Sequence, residues 1–356
     1  MTTMTTVPLL DITIPWPAGL RHLLRQIHAL WQYSSHWEPW FSLALFMGAS
    51  FLMIWRLGAL ERKGLEGTVL GTLIMPYASG FSNLIFAYII GRSGGGGVLV
   101  LENCLVNNVT NLTILIGLPA LFWGLNLFPR NKDSRVAGTH LRSHRLNRLS
   151  LMLILVAVLF FTGILWALMR DKRLEFSDGL VLVGLFVFWQ VFHVFDVLKH
   201  NIHRGRSLHW SLAVDIILVV VGGAAVFGSI ERLVEWVPRT GSGLLVFDNL
   251  GWLSGILMTL PNALLAFYYA KARRADIVYS SQVGDGHICI PMCVGLTALF
   301  TQIRMPAYFD LGVAIILGAC LVHLIFISLL GRLPRLVGLL CTAAYGYFVY
   351  QGVLPF

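Results

Sequence analysis

Apolar stretches of about 20 residues recur along the whole chain, and this property limits what the chain can fold into. Wound as an α-helix, each stretch matches the hydrocarbon thickness of a bilayer. Ten spans are expected, at roughly 38–57, 65–90, 98–123, 149–169, 179–198, 210–236, 244–270, 286–304, 307–330 and 333–351. Of 356 residues, 57% are hydrophobic and 12% charged, with a mean hydropathy of +0.75. That leaves too few polar groups to cover a water-soluble globule. In lipid each helix must pair its own backbone groups, so an all-α integral membrane protein follows.

The net charge of +9 could suggest a nucleic-acid partner, but the basic residues are scattered over the connections. The positive-inside bias explains them instead, and nucleic acid is not expected. Connections after odd-numbered spans carry 17 Lys and Arg, against 9 on the other side with both termini included. The odd connections are therefore expected in the cytoplasm and both termini outside it, in a multi-pass protein of a bacterial inner membrane. Cys104, Cys289, Cys293, Cys320 and Cys341 lie in or beside apolar runs, which argues against a disulfide framework.

The chain divides into an N-terminal arm (1–37), a first five-helix unit (38–198), a basic connection (199–209) and a second five-helix unit (210–356). No cleavable signal peptide is apparent. Within the arm, Leu20, Leu23, Leu24, Ile27 and Trp31 share one helical face. That pattern suits a helix lying on the membrane surface as well as it suits a solvated arm. Five spans per unit mean that any repeat of the first unit in the second is inverted in the membrane. A faint repeat is visible: LIMPYASGFSNLIFAYI around Pro76 parallels LMTLPNALLAFYYA around Pro261. Inverted repeats with proline-broken helices commonly build a transporter's midplane site.

The span after Pro76 contains NCLVNNVTNLTILIGL. Asn103, Asn107 and Asn111 are spaced i, i+4, i+8 and share a face. An amide left unpaired in hydrocarbon costs ~2–7 kcal/mol, so the row needs partner side chains, water or an ion. The counterpart in the second unit is VGDGHICIPMCVGL.

These motifs resemble the calcium/cation antiporter superfamily, which contains the sodium/calcium exchangers. The resemblance rests on Gly71, Thr72 and Pro76 followed by Asn108-Val109-Thr110-Asn111, and on Thr259, Leu260 and Pro261 followed by Gly284, Asp285 and Gly286. RLEFSDGLVLVGLFVF and GRLPRLVGLLCTAAYGYFVY are similar to the helix that closes each repeat. The resemblance implies ten helices in two inverted five-helix repeats and cation antiport by alternating access. It also implies a midplane site from Thr72, Tyr77, Asn107 and Asn111 of one half and Thr259, Asn262, Asp285 and Cys289 of the other. The glutamate that follows the proline in that family is Tyr77 in one half and Asn262 in the other. Calcium favours six to eight oxygens with several carboxylates, so a site holding Asp285 alone points to a monovalent cation or a proton. The loss of both glutamates keeps a second reading open, a non-transporting sensor or scaffold that retains the fold.

Asp285 reads either as the ligand or as the N-cap of a helix starting at Gly286. Glu102, near a helix start, is expected to face solvent. His193 and Asp196 read as an interfacial pair, and His323 as a hydrogen-bonded core residue. His287, Cys289 and Cys293 lack a soft-metal pattern and read as packing. The two glycosylation sequons at Asn108 and Asn111 fall inside the bilayer and are discarded. No enzyme motif is present and no cofactor is expected, the only partners being the bilayer and a small inorganic cation such as sodium, a proton or calcium. Cysteine labelling should find Ser143 in the cytoplasm and Thr5 and Phe356 outside it; Ser143 and Phe356 on one side would contradict the odd repeat.

Overall fold

The computed structural model describes residues 39–62, 75–92, 96–127, 137–201, 210–240 and 249–353. The surface-helix expectation for the N-terminal arm lies outside them. The helices are α1 (Trp40–Arg62), α2 (Met75–Arg92), α3 (Gly97–Leu112), α4 (Ile114–Trp123), α5 (Ala137–Leu168), α6 (Phe176–Asn201), α7 (Trp210–Thr240), α8 (Leu250–Lys271), α9 (Ala275–Ile288), α10 (Gly295–Ala298), α11 (Phe309–Leu330) and α12 (Arg335–Val353). α3 runs into α4 through Thr113, and α9 into α10 through a π-helical turn at Cys289–Val294. Among the described residues, five helical stretches are long and apolar enough to cross a membrane, and Trp40–Met53 and Phe176–Phe192 are shorter apolar ones. Large apolar side chains face outward, with Trp40, Phe188 and Leu329 of these helices each at least 73% exposed. Such a surface is stable only in lipid.

The eighth expected span is displaced. The helical run covers Ala275 to Ala298, so the residues around Asp285 lie inside a helix and not at its start. Gly-Asp-Gly reads as a cap because glycine flanks turns, but Gly286 serves close packing here. A Cβ on it would lie 3.1 Å from Val158 Cγ2 of α5. Elsewhere α6 continues to Asn201, and α5 begins at Ala137, ahead of the fourth span expected from about 149.

Two short antiparallel ribbons fix how the halves meet. β1 (Leu125–Asn126) pairs with β4 (Arg332–Leu333), placing Leu125 opposite Leu333. β2 (Arg173–Leu174) pairs with β3 (Ile303–Arg304). β1 and β2 bracket α5, while β3 and β4 bracket α11. The two ribbons therefore hold α5 and α11 antiparallel, one at each end of the pair.

α3 lies at the centre. Of the Gly97–Trp123 span 78% is buried, against 28% for Ile217–Trp236. Close helix crossings surround it, made possible by small residues. A Cβ on Gly117 of α4 would stand 2.8 Å from the Gly338 carbonyl of α12, and one on Gly179 of α6 would stand 2.8 Å from the Gly295 carbonyl of α10. At the periphery α1 packs along α7, joined by Arg56 Nη1 and Asp215 Oδ1 at 3.4 Å.

Gly117→Val and Gly179→Val should each cost roughly 1–3 kcal/mol or more of stability, measured as a fall in melting temperature. Gly163→Ala, which meets nothing within 4 Å, should stay within about 0.5 kcal/mol. Equal melting of all three variants would contradict the two crossings.

Candidate ion site between the two halves

The asparagine row of α3 faces the second half of the chain, and each member finds a different partner. Asn103 Nδ2 donates to Ser254 Oγ at 3.0 Å and approaches Met258 Sδ at 3.4 Å, both on α8. Asn107 Nδ2 lies 3.5 Å from Cys289 Sγ. Asn111 Nδ2 donates to Asp285 Oδ2 at 3.2 Å. Numbers rise along α3 while they fall along α9, so the two helices run antiparallel at this contact. Asn103 is the interhelical hydrogen-bond partner that intramembrane asparagine often is.

Asp285 is the meeting point. Its carboxylate is fully buried and takes a second hydrogen bond from Asn262 Nδ2 of α8 at 2.5 Å. Gln282, one turn earlier on α9, donates to the Asn262 backbone carbonyl at 3.2 Å and so fixes the backbone that carries Asn262. On the opposite side the α2 backbone closes in. A Cβ on Gly80 would stand 3.9 Å from Asp285 Oδ1. One turn further along α2 is Asn83, fully buried, with neither amide atom hydrogen-bonded within the protein.

Both central helices are irregular just beyond these residues. Thr113, two residues after Asn111, takes φ −108° and ψ −79° and separates α3 from α4. On α9 the π-helical turn begins at Cys289 and contains Pro291, which lacks the N–H that would close on the His287 carbonyl. Widened turns of this kind recur at functional sites.

Of the residues singled out from the sequence, the fold brings Asn107, Asn111, Asn262, Asp285 and Cys289 together. Thr259 is buried but turns its hydroxyl back to the Ile256 carbonyl of its own helix at 2.7 Å. Thr72 lies outside the described residues, and only the backbone of Tyr77, in the first turn of α2, lies within them. The helix-start setting expected for Asp285 is absent, so helix capping does not account for it. Glu102, expected in solvent, is 9% exposed and sits beside the Tyr308 hydroxyl, against Gly251 of α8. The first turns of α3 are covered by α8, which apolar counting along α3 alone does not reveal. The His193–Asp196 side chains lie outside the description, and His287 turns its Nε2 to Gln190 at 3.5 Å.

Sequence reasoning missed Asn83 and Gln282. A signal for Asn83 exists: setting SNLIFAY (82–88) against PNALLAFY (261–268) places Asn83 on Asn262, Ala87 on Ala266 and Gly80 on Thr259. Aligning the prolines instead places Tyr77 on Asn262, a register six residues away.

Several amides here lack protein partners. They are both polar atoms of Asn83 and Asn108 and the side-chain oxygens of Asn107, Asn111 and Gln282, seven atoms in all. At roughly 1–3 kcal/mol each, leaving them dry would cost as much as the ~5–15 kcal/mol by which a protein is stable. Buried amides of this kind are ordinarily satisfied by ordered water or by an ion where the protein supplies no partner.

The sodium/calcium exchanger protein family matches residues 40–195. Residues 40–195 are therefore similar to that family. The match begins with α1 and ends within α6. No curated protein sequence matches the chain. Solved structures of the sodium–calcium exchanger NCX_Mj are similar over nearly their full length. The form soaked with 2.5 mM Na+ and 10 mM Sr2+ has a TM-score of 0.62 at 17% identity, covering 88% of this chain and 96% of that one. The form soaked with zero Na+ and Ca2+ has a TM-score of 0.61 at 16% identity, covering 87% and 96%. At these identities the likeness is one of fold, and the exchanger fold is that of an integral multi-pass membrane protein.

Asn103→Ala, Ser254→Ala and the double variant form a cycle that should yield a coupling of about 0.5–1.5 kcal/mol in thermal unfolding. Zero coupling would show that this hydrogen bond does not hold α3 to α8.

Proposed function

We propose that the protein is a secondary active transporter, a cation antiporter working by alternating access, whose central site favours a monovalent cation or a proton over calcium. The carrying observation is the buried Asp285 carboxylate, bonded by one amide from each half and surrounded by further amides whose oxygens have no donor. Amide side chains can turn about their last torsion. Asn111 and Asn262 offer N–H to the carboxylate in this arrangement and can present oxygen to a cation that replaces those bonds. A proton on Asp285 would instead be donated to an amide oxygen. One carboxylate that accepts either a cation or a proton, but not both, couples the two fluxes.

Charge sets the selectivity. Calcium takes six to eight oxygens and needs carboxylates to balance it, and Asp285 is the one acid among the residues gathered here. We further infer that Asn83 occupies the first-half position that the resemblance gave to Tyr77, opposite Asn262. The site is then amide-rich on both sides, with Cys289 standing where a harder ligand would serve a divalent ion. Several features support two inverted five-helix repeats. The ribbon pairs exchange with one another when the halves are exchanged, as do the crossings Gly117–Gly338 and Gly179–Gly295. The contacts Asn107–Cys289 and Asn111–Asp285 are a further matched pair.

The alternative, a non-transporting sensor or scaffold, is favoured by the same short Asn262–Asp285 contact, which would then be a permanent closure of the site. A flux panel in proteoliposomes separates the two. Asp285→Asn keeps the size of the side chain and removes the charge, so it should remain folded and lose cation-dependent flux. Cys289→Ser should change selectivity at most. Normal transport by Asp285→Asn would overturn the site, and no flux of sodium, potassium, protons, calcium or manganese through well-folded protein would favour the scaffold.

A further inference from the structure

The break between α3 and α4 leaves the Leu112 carbonyl at the end of a helix, next to Asn111. His323 of α11 meets it, with Nε2 2.8 Å from the oxygen. A carbonyl can only accept, so Nε2 carries the proton and Nδ1 is left as an acceptor. On that side Tyr279 of α9 brings its hydroxyl to 3.5 Å, and its ring meets the imidazole edge-on with centroids 5.6 Å apart. His323 and Tyr279 are both fully buried. Leu112 directly follows Asn111, and Tyr279 lies less than two turns before Asp285 on the same helix. One imidazole thus joins the backbone that carries Asn111 to the helix that carries Asp285.

We infer that His323 is a positioning residue that sets Asn111 against Asp285, an inference that rests on reading this pair as the ion site. The decisive group is the Nε2 donor. A residue that merely filled space would need its shape alone, whereas this role needs a hydrogen aimed at Leu112 O.

Three variants separate the two. The amide nitrogen of His323→Gln reaches the place of Nε2 and can donate to Leu112. His323→Asn reaches only the place of Nδ1, and His323→Leu has no donor. For each, the cation concentration giving half-maximal flux is measured in proteoliposomes. Hydrogen–deuterium exchange over residues 113–118 and the melting temperature are measured on purified protein. Expected for His323→Gln are a half-maximal concentration within about twofold of wild type and unchanged exchange. His323→Asn and His323→Leu should raise that concentration roughly three- to tenfold, as loss of one buried hydrogen bond implies, and should speed exchange beyond the break. Wild-type exchange and half-maximal concentration in His323→Leu would overturn the inference. So would equal shifts in all three variants, which would mean packing alone. If Asp285→Asn shows normal flux, the reading of the site fails; faster exchange in His323→Leu that His323→Gln rescues would still support the positioning role, and its absence would overturn it.

Discussion

A carboxylate buried among helices in hydrocarbon must be solvated by the protein itself, and Asp285 is solvated by amides from both halves of the chain. Asn111 arrives from α3 and Asn262 from α8. Bringing both to one oxygen requires α3, α8 and α9 to meet at a single depth. The backbone of α2 completes the enclosure at Gly80. A charge in this position costs several kcal/mol if its donors are displaced, so the packing around it has little freedom. The glycine crossings, the antiparallel ribbons and the almost complete burial of α3 serve to hold these donors in place.

The same centre is also where the regular helices give way. Thr113 interrupts the α3–α4 run and a π-helical turn follows Cys289, each within a turn or two of a residue that touches the site. Regular helices pair their backbone groups internally, whereas breaks of this kind leave groups that must be paired elsewhere. His323 shows how one such group is held, by a side chain from a third helix. The peripheral pair α1 and α7 is linked through Arg56 and Asp215, on elements separate from those that form the centre.

Much of this was legible in the sequence. The apolar helical character is readable from length and hydropathy, and five stretches among the described residues are long and apolar enough to cross a membrane. The i, i+4, i+8 asparagines and the polar residues after Pro261 were readable because polar atoms in a membrane helix carry a cost that must be offset. What could not be read depended on packing across helices. Glu102 looked exposed because its cover, Gly251 of α8, lies about 150 residues away. The Gly-Asp-Gly stretch looked like a helix start because glycine marks both turns and close approaches, and only the neighbouring Val158 separates the two. Asn83 was passed over because Pro76 drew attention to the residue directly after it.

Under the function proposed above, Asp285 and the amides around it take a single monovalent cation in exchange for a proton. The most direct measurement is a crystal structure of the protein soaked in turn with rubidium and with strontium, using anomalous scattering to locate either ion. The account predicts one rubidium peak within coordination distance of Asp285 and of the Asn111 and Asn262 side-chain oxygens, with both amides turned to face it, and no strontium peak at the same concentration. A strontium peak at Asp285, or no peak from either ion with both amides still bonded to the carboxylate, would contradict it.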